Sequence, residues 1–293
     1  MLSIKNVSKK YSNNFTALSN FNLELDKGII GLLGANGAGK STLLKMIATV
    51  SKPTEGTITW DGQNIHKHGD KLRHALGYLP QNFGVFPNLT AVEFLKYMAA
   101  LKGLNMKKAK TRINELIDLL NLSEAANKNI GVYSGGMKQR IGIAQALLND
   151  PKILIVDEPT VGLDPSERLN FRNLINSLSK DKLIILSTHI VSDVEASAEK
   201  IVLIGKGKLI CFCKNEELLN SLQGNVWECL TKESELKKIK DNYITGNIIR
   251  KANGMVVRVI SQSKPLPNAS NVHPTLEDAY IYYTSKKGGL NIE

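Results

Sequence analysis

The sequence predicts an α/β protein built on a largely parallel sheet. Four short apolar runs lack the polar alternation of a half-exposed strand, and they lie at residues 29–33, 153–156, 183–186 and 201–204. Such runs are typical of strands that are covered on both faces. Longer helical patterns separate the runs, and a glycine-rich turn at residues 34–42, GANGAGKST, directly follows the first of them. These three observations favour a sheet with helices above and below it.

The composition is that of an ordinary globular protein with a basic surface. The chain has 293 residues, of which 42% are hydrophobic and 22% are charged, enough for one large domain and a smaller one. The formal net charge of +11 is spread along the sequence, which favours a solvated surface over a nucleic-acid-binding tail. No apolar run approaches the roughly 18 residues of a membrane span, and the first residues lack the apolar core of a secretion signal. We therefore expect a cytoplasmic protein.

The three cysteines are interpreted as packing residues. Cys211 and Cys213 flank a phenylalanine in an apolar stretch, and Cys229 stands apart from them. A zinc site normally uses four ligands at a recognisable spacing, which these residues lack. We expect reduced thiols.

A block of amphipathic helices interrupts the sheet pattern. Residues 91–101 and 109–120 both show helical periodicity, and Gly103 and Asn105 indicate a turn between them. We interpret residues 82–140 as a helical subdomain inserted into the sheet domain.

The pattern changes again towards the C-terminus. The stretch VWECL is followed by a charged helical segment and by two strand patterns with a turn at residues 253–254. A last helix is predicted to start near Pro274 or Thr275. We therefore expect a main domain over residues 1–219 and a small α+β accessory region over residues 220–293.

The glycine-rich turn matches the phosphate-binding pattern G-x-x-x-x-G-K-[ST] and is called the P-loop below. Gly34, Gly39, Lys40 and Ser41 occupy its defining positions. Glycines allow the loop amides to converge on phosphate oxygens, and the helix that begins near Lys40 adds the positive end of its dipole. Lys40 is placed to reach the β- and γ-phosphates, and the Ser41 hydroxyl to bind Mg²⁺. The other loop residues predicted to contact nucleotide are Asn36, Gly37, Ala38 and Thr42.

A glycine-rich turn can be purely structural, but here a second element supports a nucleotide site. The stretch ILIVDEPT ends a buried strand in Asp157 and Glu158. Asp157 is placed to hold Mg²⁺, and Glu158 to polarise the water that attacks the γ-phosphate. The alternative is an acidic pair that caps the next element before Pro159. The matching P-loop favours the catalytic interpretation.

The stretch YSGGMKQR, residues 133–140, provides a second anion site. Ser134, Gly135 and Gly136 stand at the start of a helix, where a hydroxyl, bare amides and the helix dipole favour a phosphate. With this motif the chain resembles the ATP-binding subunit of an ABC transporter, whose signature motif reads LSGGQ or, in many drug-exporting members, LSGGMKQR. The resemblance covers roughly residues 1–219. It implies a P-loop NTPase fold in which two subunits pack head to tail, each ATP lying between the P-loop of one and the signature of the other.

The resemblance also implies roles for isolated residues. Gln81 matches the glutamine that contacts Mg²⁺ or the attacking water, and His189 matches the switch histidine that contacts the γ-phosphate. Asp164 matches the D-loop aspartate that couples the two sites, and Tyr11 the aromatic that stacks on adenine. Each residue also has a structural alternative. Gln81 could cap a turn, His189 could be a packing or surface residue, and Tyr11 could be an ordinary aromatic at a sheet edge. Tyr133 replaces the usual leucine of the signature, and we expect altered packing beneath the loop without loss of ATP binding.

From the resemblance we expect an ATPase that forms a homodimer or heterodimer around two MgATP. It would drive a separate integral membrane permease subunit from the inner face of the cell membrane, with no nucleic acid as a partner. The PTLEDAY phrase and the accessory region are similar to those of drug, lantibiotic or polysaccharide exporters, which favours export. Phe83 and Phe86 lie either where the family receives the permease or in the subdomain core.

The alternative function is that of a soluble ABC ATPase acting on the ribosome or on nucleic acid. Such proteins carry two cassettes or a long coiled coil, whereas this chain has one P-loop and one signature about a hundred residues apart. A small-molecule kinase would leave the signature and His189 unexplained.

Overall fold

The computed structural model describes residues 1–12 and 14–285. Over these residues the strands are β1 (Leu2–Lys10), β2 (Thr16–Leu25), β3 (Gly28–Leu33), β4 (Glu55–Trp60), β5 (Gln63–Asn64), β6 (Leu76–Leu79), β7 (Ile153–Asp157), β8 (Leu183–Thr188), β9 (Lys200–Gly205), β10 (Lys208–Lys214), β11 (Val226–Thr231), β12 (Ile244–Lys251), β13 (Gly254–Ile260) and β14 (Ser270–Asn271). The α-helices are α1 (Lys40–Ile47), α2 (Gly69–Ala75), α3 (Ala91–Leu101), α4 (Met106–Leu119), α5 (Gly135–Leu147), α6 (Pro165–Leu178), α7 (Val191–Glu195), α8 (Asn215–Asn220), α9 (Leu236–Asn242) and α10 (Leu276–Thr284).

The main sheet has the strand order β10-β9-β3-β8-β7-β6. Its strands run parallel except for β10, which pairs antiparallel with β9 at one edge. The predicted α/β class is therefore confirmed, and each of the four apolar runs forms a strand. The register pairs Leu33 with Thr188 and Asp157 with Ser187, so the carboxyl ends of β3, β7 and β8 lie together. The P-loop, the acidic pair and His189 all begin at this edge.

Alternate residues of the central strands face two different cores, which explains their lack of polar positions. In β3, Ile29 and Leu33 belong to a core shared with the helical subdomain. Ile30 and Leu32 belong to a second core, which also contains the buried face of α1. The strand is therefore covered on both sides, as its sequence predicts.

A second, antiparallel sheet closes the far side of α1. Its order is β2-β1-β4-β5, and β1 pairs with β4 from Leu2 opposite Trp60. The sequence interpretation did not include this sheet. It positions the loop between β1 and β2 beside the P-loop.

The segment interpreted as a helical subdomain, residues 82–140, contains α3, α4 and the start of α5. Helix α3 has the predicted bounds, whereas α4 begins three residues before its predicted start. The reason is an N-cap, because the Asn105 side chain accepts hydrogen bonds from Lys107 N and Lys108 N. None of the helices in the described part of the chain combines the length and the hydropathy needed to cross a membrane.

The C-terminal part forms an antiparallel sheet of order β12-β13-β11-β14. The predicted turn needs a correction, since Lys251 pairs with Gly254 and the turn residues are Ala252 and Asn253. Gly254 opens β13 instead. Helix α10 starts as predicted, with Thr275 in a capping box, and then packs on α7 and α8 of the main body. The boundary at residue 219 stays a prediction.

Candidate active site

The P-loop connects β3 to α1 and depends on its last glycine, Gly39. Gly39 has a φ of 109°, and a Cβ at this position would lie 2.7 Å from the Ala17 carbonyl oxygen. Gly39 is also the N-cap of α1, so no side chain caps the first amides of the helix. These N–H groups therefore remain available to an anion.

A cleft of about 340 Å³ lies over the P-loop. It brings most of the predicted nucleotide-binding residues together with Gln81 and Glu158. The lining residues are Phe15, Ala17, Ala35, Asn36, Gly37, Gly39, Lys40, Ser41, Thr42, Gln81 and Glu158. Ala38 is the exception among the predicted loop contacts, because its side chain is buried and lines a neighbouring cavity beside Ile204.

Lys40 is held in the cleft by buried partners. Its Nζ donates a hydrogen bond of 2.7 Å to the Gly34 carbonyl and lies 3.4 Å from Glu158 Oε1. The two side chains are only 6% and 4% exposed. Because a buried charge is costly without a partner, each of these side chains offsets the cost of burying the other.

Glu158 lies between Lys40 and His189. Its Oε2 is 2.8 Å from His189 Nδ1 and also accepts a 3.3 Å hydrogen bond from the His189 backbone N–H. The backbone of Glu158 has a φ of 51°, a left-handed conformation that glutamate rarely adopts. A 2.8 Å hydrogen bond from Glu158 N to the Ser187 carbonyl holds this conformation. The carboxylate is therefore placed by strained, well-supported backbone, which is typical of functional sites.

Asp157 fits a magnesium ligand. It is 2% exposed, and its Oδ1 has no hydrogen-bond partner among the described residues. Burial raises the pKa of Asp157, while the hydroxyls of Ser41 and Ser187 act to lower it. Mg²⁺ prefers oxygen ligands and usually shares them with substrate phosphates. Among the described residues, no group of three or more His, Cys, Asp or Glu could hold a metal ion.

The signature residues lie on another surface. Ser134 is the N-cap of α5, and its hydroxyl accepts a 3.2 Å hydrogen bond from Met137 N. Ser134 and Gly135 are exposed and do not line the P-loop cleft. Gly136 is buried against Glu167, whose carboxylate would lie 2.8 Å from an added Cβ.

Tyr133 and Asp164, the two remaining predicted positions, have different local partners. Tyr133 is 4% exposed, and its hydroxyl donates a 2.6 Å hydrogen bond to the Ala125 carbonyl. The tyrosine therefore anchors the loop through a contact that a leucine cannot make. Asp164 is the N-cap of α6 and accepts from Glu167 N at 2.9 Å and from the Ser166 hydroxyl at 2.7 Å. These hydrogen bonds lower the pKa of Asp164.

The aromatic residues at the cleft include one that the sequence interpretation missed. Tyr11 and Phe15 stack with ring centroids 6.5 Å apart and an interplanar angle of 18°, and the Tyr11 hydroxyl is 3.4 Å from Thr42 Oγ1. Phe15 lines the cleft, whereas the predicted residue Tyr11 is not among the lining residues. The sequence feature that could have identified Phe15 is its position as a second aromatic residue in the same short loop as Tyr11.

Comparison with known proteins identifies relatives. The sequence pattern of the family described as ABC transporter matches residues 18–161. The chain is 40% identical to YxlF, an uncharacterised ABC transporter ATP-binding protein of Bacillus subtilis, over 80% of this chain and 77% of the relative. It is 36% identical to the linearmycin resistance ATP-binding protein LnrL of Bacillus subtilis, over 77% of this chain and 73% of the relative. A dimeric structure of the ATP-binding cassette MJ0796 in a post-hydrolysis state, bound to ADP and Pi, is similar with a TM-score of 0.66 and 29% identity, covering 73% of this chain and 98% of that one.

Proposed function

The chain belongs to the ABC transporter family as an ATP-binding and ATP-hydrolysing protein, and from this premise we propose that two subunits enclose two MgATP and drive a separate integral membrane permease. One observation carries the proposal. Lys40 and Glu158 line a cleft, whereas Ser134 faces solvent on another surface of the same chain. A second subunit, identical or related, can bring its serine to this cleft. The dimer described for MJ0796 supports this arrangement.

In the proposed reaction Glu158 is the general base. It takes a proton from the water that attacks the γ-phosphate, and His189 orients the carboxylate and contacts the same phosphate. Lys40 binds the β- and γ-phosphates, and its 3.4 Å ion pair with Glu158 weakens when the phosphates are bound. Phe15 and Tyr11 together form the aromatic wall on which the adenine stacks.

Ser41, Asp157 and Gln81 are the residues that would hold Mg²⁺. When bound, the ion neutralises charge on the β- and γ-phosphates. Asp157 Oδ1 has no hydrogen-bond partner within residues 1–12 and 14–285, which supports this role because a buried carboxylate oxygen needs a donor or a cation. Gln81 also lines the cleft, and it begins the segment that leads into the predicted helical subdomain.

The second subunit would supply Ser134, Gly135 and Gly136. Their amides and hydroxyl stand at the N-terminus of α5, where a helix attracts anions. Asp164, at the N-cap of α6, would lie at the same interface. ATP binding would then close the two subunits on each other, and hydrolysis would release them.

An apolar patch on the helical subdomain is the proposed permease contact. It consists of Phe86, Pro87, Leu89 and Tyr97, with Phe86 50% and Tyr97 45% exposed. Phe83 packs inward instead, edge-on against Phe94 at 5.9 Å. Phe83 therefore fits the interpretation as a core residue, and we assign the exposed Phe86 to the proposed permease contact.

We assign export as the direction and a drug or peptide antibiotic as the class of cargo. The similarity to LnrL, which is described as a linearmycin resistance protein, supports this assignment. The proposed organisation is a main domain over residues 1–219 with its subdomain at 82–140, and an accessory region over 220–293. The protein would work at the inner face of the cell membrane.

The test is purification of the tagged chain from detergent-solubilised membranes of its own cell, followed by mass spectrometry. We expect an integral membrane protein to co-purify with the natural chain. The variant Phe86→Asp should lose it, and Ile249→Asp, at a 48% exposed site on β12, should keep it. Recovery of ribosomes in place of a membrane protein would favour the alternative function.

A further inference from the structure

A short buried contact joins the segment after Glu158 to the helix after His189. The Thr160 hydroxyl donates a 2.5 Å hydrogen bond to Asp193 Oδ2. Thr160 is 0% and Asp193 2% exposed, so neither group can exchange its partner for bulk water. Thr160 follows Glu158 by two residues, and Asp193 follows His189 by four. The contact therefore ties the two segments that carry the proposed base and its orienting histidine.

Helix α7, which carries Asp193, is also fixed against the strand that leads into the P-loop. Val194 is fully buried, and a Cβ on Gly31 of β3 would collide with its methyl groups. The helix consequently lies close to the backbone of β3. A change in its position would move His189 relative to the sheet edge.

The same helix binds the accessory region. Leu276 N, at the start of α10, donates a 3.0 Å hydrogen bond to Glu195 Oε1 at the end of α7. Leu276 itself is 0% exposed and belongs to the core of the main body. Helix α7 thus connects the accessory region to the candidate active site.

We propose that Thr160 and Asp193 are positioning residues for ATP hydrolysis. Glu195 links the accessory region to α7, so that this region also helps to hold α7 in place. The Thr160–Asp193 hydrogen bond keeps the 2.8 Å contact between Glu158 and His189 in register. A hydrogen bond of this length is lost when its partners separate by about 1 Å. The inference rests on the proposed roles of Glu158 and His189.

The first experiment measures kcat, KM and ATP affinity of the purified full chain with Thr160→Val. We expect kcat to fall about tenfold and ATP affinity to stay within about twofold, because orientation of the base is lost and the P-loop is untouched. Thr160→Ser keeps the hydroxyl and should restore kcat. The control is Thr231→Val, in strand β11 of the accessory sheet, which removes a buried hydroxyl that donates to Glu235. This variant should leave kcat unchanged.

The second experiment tests the link to the accessory region. Glu195→Ala removes the acceptor for Leu276 N at an exposed residue, and we expect kcat to fall about threefold with unchanged ATP affinity. Glu195→Gln retains an acceptor oxygen and should behave as the natural chain. This pair also decides the inference if Thr160→Val does not fold.

The outcomes separate the inference from the proposed function. Full kcat in folded Thr160→Val and Glu195→Ala, beside an inactive Glu158→Gln, would overturn the inference alone. Equal losses of kcat and ATP affinity in Thr160→Val, without rescue by serine, would also overturn it, because a general loss of structure predicts that pattern. An active Glu158→Gln would instead contradict the proposed site.

Discussion

The two phosphate-binding regions of this chain differ in how completely one subunit builds them. At the P-loop, Lys40 and Glu158 are buried, paired with each other and bonded to nearby backbone. At the signature, Ser134 and Gly135 are exposed, and the serine hydroxyl accepts a hydrogen bond from the helix that it caps. Under the proposed function, the P-loop would hold nucleotide in a single subunit, and the signature would act on a neighbour's nucleotide. The following variants test this comparison.

The largest effect is expected from Glu158→Gln. Without the proposed base, kcat should fall about 1,000-fold while ATP still binds at the P-loop. Nucleotide should then accumulate between paired subunits, and gel filtration with MgATP should show a dimer. A strictly monomeric profile, with ATP bound, would remove the basis for a shared site.

Lys40→Ala should weaken ATP binding itself by about 100-fold, because charge-assisted hydrogen bonds to phosphate are lost. Isothermal calorimetry measures this directly. Lys182→Ala is the matched control. Lys182 is also largely buried, and its Nζ lies 2.7 Å from Asp150 Oδ1; neither residue lines the cleft. Unchanged affinity in Lys40→Ala would contradict the assignment of the loop.

Ser134→Ala separates the two regions most clearly. ATP affinity of the single subunit should not change, whereas ATPase activity of the paired protein should fall about tenfold as one hydrogen bond to phosphate is lost. The substitution also removes the N-cap of α5. Thr90→Ala removes the N-cap of α3 and serves as the control for that loss. Weaker ATP binding by monomeric Ser134→Ala would break the comparison.

The smallest effect concerns stability. Because burial raises the pKa of Asp157 above its unfolded value, its ionised form destabilises the nucleotide-free fold, and this cost disappears as the pH falls through the folded pKa. Asp157→Asn should therefore raise the free energy of unfolding at pH 7, with a smaller gain in acid.

Urea unfolding at several pH values measures the effect of Asp157→Asn. Asp150→Asn should have the opposite sign, since a hydrogen bond from Lys182 lowers the pKa of Asp150. A destabilised Asp157→Asn would show that the carboxylate already has adequate partners without a cation.

The sequence predicted the parts of the molecule that depend on local pattern. The buried strands follow from continuous apolar runs, and the P-loop and signature follow from motifs in which the spacing itself carries the chemistry. The fold class and the ATPase family are confirmed. The roles of individual site residues remain predictions.

What the sequence did not reveal depends on contacts between distant residues. The antiparallel sheet pairs Leu2 with Trp60 through half-exposed strands, which carry a weaker apolar signal. Phe15 lines the cleft because its ring stacks on Tyr11, and no motif encodes that geometry. The hydrogen bond between Thr160 and Asp193 likewise joins residues 33 positions apart.

Helix α10 has a consequence for the chain as a modular protein. Its buried residues Leu276, Ala279 and Tyr283 complete the same core that covers one face of the main sheet. Truncation before the accessory region would remove α10 and expose an apolar surface on the main domain, which favours aggregation. An isolated cassette cut from this protein should therefore need a compensating patch of polar substitutions on α7 and α8 to remain in solution.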